Sequence, residues 1–209
     1  MASVGFSRCT RQARRALSGS VLVVLLAASV AACGSKSAAD QAQNELNLGL
    51  AADAMGKTDE AAQHYRACLT FSPTNRFCIF NLGVQAQNAG RALEAENDYR
   101  LALLQDPDFT SALYNLAILR REAGSLDEAI ALYRHLVQLS PSDANGHFNL
   151  GLALVANGDV EGGEQELAQA VKLNPALVIP SPLPGPSGSP VPSLAPRPST
   201  SAAPSPSPS

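Results

Sequence analysis

The chain has 209 residues, a formal net charge of −3 and 45% hydrophobic residues, with 15 Gly, 15 Pro, four Cys and no Trp. That length holds one or two domains with a sizeable core, and the charge excludes a basic nucleic-acid footprint. Charged residues reach only 16%, below the usual quarter, and the proline count is high for a helical chain. Pro73, Pro107, Pro141 and Pro175 recur every 34 residues, while the other 11 prolines all fall between Pro180 and Pro208. A fixed interval of that size is an internal repeat, so the chain divides into a leader, a repeat segment and a tail.

The leader is an export signal. Arg8, Arg11, Arg14 and Arg15 precede an apolar run over residues 21–28, followed by Ser29-Val30-Ala31-Ala32-Cys33. A basic start, a short apolar stretch and small residues before a break mark a secretory signal. The apolar stretch, residues 21–32, is shorter than the ~20 residues a spanning helix needs. Val30-Ala31-Ala32-Cys33 resembles the bacterial lipobox, an aliphatic residue and two small ones directly before Cys. The resemblance implies that residues 1–32 are removed and that Cys33 becomes a lipidated N-terminus. Two or three acyl chains anchor firmly where one holds only marginally. An ordinary cleaved signal with Cys33 as a bystander is the other reading. Arg14-Arg15 also fits a twin-arginine signal, so the export route stays open. Removing residues 1–32 takes away four arginines and no acid, leaving 15 − 4 = 11 basic and 18 acidic residues, a net charge of −7. Such a chain is not drawn to anionic lipid by charge; the lipid on Cys33 would hold it.

After a short linker, residues 33–41, the 34-residue period gives four units: 42–75, 76–109, 110–143 and 144–177. Asn47-Leu48-Gly49, Asn81-Leu82-Gly83, Asn115-Leu116-Ala117 and Asn149-Leu150-Gly151 share one register. So do Gly56, Gly90, Gly124 and Gly158, then Ala61, Ala95, Ala129 and Gly163, then Tyr65, Tyr99, Tyr133 and Leu167. In the first unit Leu48, Ala51, Ala52 and Met55 form one helical stripe, and Ala61, Ala62, Tyr65 and Leu69 form a second. The glycine at place fifteen sits between them, where a helix end needs left-handed backbone. The small residues at places eight and twenty let the two helices approach, and the ring four residues later fills the gap. Each proline stops the second helix. One helix pair buries too little alone, so the units must stack.

This pattern resembles the tetratricopeptide repeat over residues 42–177. The resemblance implies an all-α, right-handed superhelix of four helix-turn-helix units. Two departures stand out. Place four, often Trp in that family, holds Glu45, Ile79, Leu113 and His147; the fourth unit places Gly162-Gly163 inside its second helix, at about 1 kcal/mol each relative to Ala. With no capping helix evident before Pro180, the last unit is expected to be the least stable or to be covered by another segment.

In that family the first helices line a concave groove that takes peptides or partner helices. The resemblance places Asn47, Asn81, Asn115 and Asn149 there at place six, an amide row able to donate to and accept from a peptide backbone. Phe80, Tyr114 and Phe148 at place five, with Val84, Ile118 and Leu152 at place nine, add an apolar-aromatic lining. Lys and Arg, which in some members clamp a carboxylate terminus, are missing at places two and five.

No enzyme, cofactor or metal is expected. His64, His135 and His147 fall at different places in the period, and there is no phosphate loop, His-x-x-x-His or Cys-x-x-Cys motif. Cys68 ends one unit's second helix and Cys78 begins the next unit's first, in columns that hold mainly small residues. Outside the cytoplasm they can oxidise to a disulfide; two separate buried thiols are the alternative. The tail, residues 178–209, carries eleven prolines, ten Ser or Thr and a single charge, Arg197, over its last 30 residues. It cannot fund its own core and is expected to be disordered polyproline-rich chain, an inert spacer or a cell-wall contact. The sequence therefore reads as a membrane-anchored lipoprotein on the extracytoplasmic face of a bacterial membrane. Its expected role is a protein-interaction adaptor with a protein or peptide partner and no nucleic acid, the alternative being a structural or assembly subunit of an envelope or secretion complex.

Overall fold

The structure, a computed structural model, describes residues 36–181 and residue 183. Cys33, the leader, and the tail beyond residue 183 lie outside the described residues. What is described is helical: α1 Ala38–Ala54, α2 Thr58–Phe71, α3 Arg76–Asn88, α4 Ala92–Gln105, α5 Thr110–Glu122, α6 Leu126–Leu139, α7 Ala144–Ala156 and α8 Val160–Leu173. Among the described residues there is no strand, and no helix is long and apolar enough to cross a membrane. The helices form four antiparallel pairs, α1/α2 through α7/α8, and the substantial contacts all join consecutive helices. Each pair rests on the next, as a stack of repeats requires.

The period is written into the backbone. Gly56, Gly90, Gly124 and Gly158 adopt φ of 72°, 73°, 77° and 96°, a left-handed conformation that costs glycine little. The residue after each glycine donates its N–H across the turn, Lys57 to Ala52, Arg91 to Ala86, Ser125 to Arg120 and Asp159 to Leu154, at 2.8–2.9 Å. This is the six-to-one bond that closes a helix end. Each second helix stops with a last N–H bond, such as Ser72 to the Cys68 carbonyl at 2.9 Å, and the following proline prevents continuation. Asn75 caps α3 by accepting from the Phe77 and Cys78 N–H groups.

One close approach sets the width of each pair. Tyr65, Tyr99 and Tyr133 are fully buried, and the Tyr65 ring lies so near α1 that a Cβ on Gly49 would come within 2.4 Å of its Cε1 atom. The leucine at place seven packs against the preceding unit. Leu48, with no preceding unit among the described residues, is 42% exposed, whereas Leu116 and Leu150 are 1% exposed. At the front, α1 begins at Ala38, so the expected linker contributes the helix's first residues. Ala38 and Ala39 are good helix formers and Asp40 suits its positive end.

The fourth unit departs from expectation in an instructive way. A Cβ on Gly163 would lie 2.4 Å from Val155 Cγ2 and 2.7 Å from the Gly151 carbonyl oxygen. Gly163 therefore lets α7 and α8 approach backbone to backbone, replacing the wedge a tyrosine forms in the other units. Gly162 lies over the Asp159 cap, whose Oδ1 accepts from its N–H at 3.0 Å. Among the described residues no helix closes the rear end. Leu177 and Leu183 instead pack against Phe148, Leu152, Leu167 and Ala170, so an extended segment covers the last pair.

Candidate interaction face

Of the ten side chains expected to line an open groove, Asn47 is exposed, while Asn81, Asn115, Asn149, Phe80, Tyr114, Phe148, Val84, Ile118 and Leu152 are buried. The open lining is corrected to a set of side chains that lock neighbouring helices together. Phe80 stacks on Tyr99 and Phe109, with ring centres 5.5 and 5.1 Å apart. The Asn115 amide donates to the Tyr99 hydroxyl at 3.3 Å, and the Asn149 amide donates to the Tyr114 hydroxyl at 3.0 Å. An amide row on stacked helices finds partners in the unit before it, because burial without a hydrogen bond is costly. Two of its acceptors find none: Asn81 Oδ1 and Asn149 Oδ1 are buried without a partner.

The sequence reading passed over place twelve, which holds Asp53, Gln87, Arg121 and Val155. In the first unit the Tyr65 hydroxyl donates to Asp53 Oδ2 at 2.5 Å, and Asp53 Oδ1 accepts from Gln85 of the second unit at 3.1 Å. In the second unit Tyr99 donates to Gln87 Oε1 at 2.6 Å. In the third, the tyrosine faces an arginine. The Tyr133 hydroxyl and both Nη atoms of Arg121 are buried with no hydrogen-bond partner, and Arg121 is only 6% exposed. Tyr114, Ile118 and Arg121 are spaced i, i+4, i+7 along α5, so the guanidinium continues the expected groove stripe. Burial pushes all three tyrosines well above their ordinary pKa; for Tyr65 the Asp53 carboxylate adds to the rise, and for Tyr133 the Arg121 charge offsets part of it. All three remain protonated donors. The missed signal was an alternation visible in the aligned period, an acceptor opposite tyrosine twice and then a cation.

Arg120, beside Arg121, behaves differently. Its Nε lies 2.7 Å from Glu128 and its Nη1 lies 3.1 Å from Glu96, while Arg100 completes a four-charge ring with the same two acids. The ring ties α4 to α5 and α6. Arg100 and Glu128 remain partly exposed to solvent, so each pair contributes little on its own.

Cys68 and Cys78 are joined by a disulfide, with Cα atoms 6.4 Å apart, linking α2 to α3 across the first unit boundary. The histidines, without a shared place in sequence, nevertheless show a pattern. Glu45 pairs with His64 at 2.8 Å in the first unit, and His147 pairs with Glu166 at 2.5 Å in the last. Both pairs bridge places four and twenty-three with the residue types exchanged. Among the described residues, no three His, Cys, Asp or Glu side chains gather as a metal site would require. A cleft of about 360 Å³ opens elsewhere, between α2, α3 and α4, with Arg66 and Arg91 on its wall.

Comparison with known proteins matches this architecture. The model described as Tetratricopeptide repeat matches residues 46–75 and 144–177, and one described as TPR repeat matches residues 119–158. Those stretches match tetratricopeptide-repeat models, and residues 76–118, between them, form helices on the same period. No curated protein matches the sequence. Among solved structures, MamA from Desulfovibrio magneticus RS-1 is similar with a TM-score of 0.60 at 21% identity, covering 65% of this chain and 77% of that one. PilF of Pseudomonas aeruginosa aligns with a TM-score of 0.59 at 24% identity, covering 66% and 64%. A tetratricopeptide repeat protein from Parabacteroides merdae gives 0.59 at 21%, covering 66% and 56%. At these identities the likeness is one of fold, a helical-repeat superhelix.

Proposed function

We propose that the protein is a membrane-anchored lipoprotein that acts as a protein-interaction adaptor through the face formed by its first helices. Tetratricopeptide repeats imply protein partners. The observation that carries the reading is the stack of helical repeats itself, matched by tetratricopeptide-repeat models over residues 46–75, 119–158 and 144–177. The anchor is the lipid on Cys33, at the extracytoplasmic face of a bacterial membrane, and the reading rests there on the Val30-Ala31-Ala32-Cys33 motif. The chemistry assigned to the chain is recognition rather than catalysis.

A crosslinked pull-down of the full chain tests the adaptor role: a short peptide or client bound at this face supports it. A fixed stoichiometric complex would instead favour an assembly subunit. The burial of Phe80, Ile118 and Leu152 speaks for that second reading, since these side chains serve the stack. The anchor is tested separately. Cys33→Ala is expected to release the protein from membranes, and unchanged retention would remove the lipid from the account.

A further inference from the structure

We propose that the Cys68–Cys78 disulfide is a redox-operated latch: reduced to two thiols, it lets the first repeat unit open away from the second along the cleft beside α2 and α3. The three joints of the stack differ at two matching places, twenty-one in one unit and eleven in the next. At the second joint these hold Glu96 and Arg120, 3.1 Å apart within the four-charge ring. At the third they hold Ile130 and Leu154, both buried in one apolar cluster. At the first they hold Ala62 and Ala86. Two methyl groups supply neither an ion pair nor an apolar plug. The cleft of about 360 Å³ opens at this joint, with Ala62, Leu82 and Ala89 among its lining. The joint least filled at these places is the one that carries the covalent link.

Position in the stack decides what that joint must bear. A repeat at the end of an array touches one neighbour only, so its stability rests on a single interface. Among the described residues no unit precedes α1, and Leu48 is accordingly 42% exposed. The first unit is held by the Gln85 amide on Asp53 at 3.1 Å, by the apolar packing it shares with the second unit, and by the disulfide. The fourth unit is also terminal, but its joint holds Ile130 and Leu154, and Leu177 and Leu183 cover its far side. Releasing the latch therefore loosens the front of the stack and leaves the rear closed. The chemistry is thiol–disulfide exchange. A dithiol attacks one sulfur, forms a mixed disulfide and leaves as its own disulfide, so that Cys68 and Cys78 together gain two electrons and two protons. Both cysteines are fully buried, so exchange waits on transient opening of the joint. A disulfide oxidant reverses the step and closes the latch.

Hydrogen exchange of the full chain, read by mass spectrometry with and without dithiothreitol, tests the latch, and alkylation of the freed thiols reports the redox state. On reduction, the amides of α1 and α2 are expected to exchange at least about tenfold faster, while those of α7 and α8 change less than about twofold. Cys68→Ala with Cys78→Ala, measured without reductant, should give the same pattern free of any effect of dithiothreitol. Ala62→Ile copies Ile130 of the third joint and places its side chain in the cleft. In the reduced state it is expected to bring α1 and α2 back to within about threefold of their oxidised rates. Exchange that quickens evenly over all eight helices would overturn the latch, because the disulfide would then act on the whole fold. So would α7 and α8 loosening first, or a bond that excess dithiothreitol leaves intact in the folded chain. Faster exchange in α1 and α2 that Ala62→Ile leaves untouched would overturn the cleft as the line of opening.

Discussion

The front and rear halves of this stack share one period and solve its joints differently. At the front, a disulfide crosses from α2 to α3, and Gln85 reaches back to the same Asp53 that receives the Tyr65 hydroxyl. The Tyr65 hydroxyl and the Gln85 amide thus both find an acceptor within the chain. At the rear, the joint between the third and fourth units is non-covalent, held by Asn149 on Tyr114 and Asn157 on Asp127. There the tyrosine of the third unit has no acceptor, and the fourth unit replaces tyrosine with Leu167 and a glycine-to-glycine approach. A period of identical length can therefore build one joint whose tyrosine hydroxyl is satisfied within the chain and another whose tyrosine hydroxyl is not.

The covalent joint gives the largest expected effect. Replacing Cys68 and Cys78 together by Ala should lower stability by about 2–3 kcal/mol, the chain-entropy value for a loop of this length. Urea unfolding of the oxidised protein against the double variant measures it, and a loss below about 0.5 kcal/mol would remove the front half's covalent advantage. Next comes the rear's backbone approach. Gly163→Ala drives a Cβ into Val155 and the Gly151 carbonyl and should cost about 2 kcal/mol. Gly162→Ala meets only the Asp159 carboxylate, where the helix-propensity gain offsets a disturbed cap, so it should stay within about 0.5 kcal/mol. If both glycines behave alike, the rear's fit has been misjudged.

These cases mark what was legible in the sequence. Prolines, turn glycines, tyrosines and small residues recur because each does one local job per unit, and local jobs repeat with the period. From them the helix pairs and their order follow. The interaction face was less legible because its columns mix two roles. Asn115 and Asn149 hold the amide-row positions, yet their amides are turned toward tyrosines of neighbouring helices, a choice set by three-dimensional neighbours rather than by spacing. Gly163 looked like a weakness because propensity counts the isolated helix, whereas its value lies in what Gly151 permits opposite. Arg121 was overlooked because place twelve carries no shared residue type; its meaning appears only beside the tyrosine it fails to satisfy.

Exchanging place twelve between the halves tests that meaning directly. Arg121→Gln gives Tyr133 an acceptor and removes a buried unpaired cation, so the rear should gain about 1–2 kcal/mol. Gln87→Arg does the reverse in the second unit, taking the acceptor from Tyr99, and should cost a similar amount, about 1–2 kcal/mol. Thermal unfolding of both variants reads the pair. Opposite signs support the comparison, and equal signs would show that arginine is tolerated for reasons unrelated to the hydroxyl.

The smallest expected effect lies at place twenty-three, where the outer units pair a histidine with a glutamate and the second does not. His64 meets Glu45 and Glu166 meets His147, but Asp98 shares its unit with Ile79 at place four. Burial, with a smaller push from Glu94, raises the Asp98 carboxyl from its ordinary 3.8 to about 6. The folded state thus holds this proton more tightly than the unfolded chain does. Where the folded state binds more protons, stability falls as pH rises. This acid therefore costs nothing below about pH 4, and its cost grows between about 4 and 6 and stays constant above that. Asp98 is half-buried, and screening by water trims the neutral-pH cost to about 1 kcal/mol or less. Asp98→Asn removes the titration and should stabilise the protein at pH 7 while leaving it nearly unchanged at pH 4. Taking the difference between the two proteins at each pH cancels the other carboxylates. A difference that does not grow with pH would mean that Asp98 finds, in solution, a partner as good as those of the outer units.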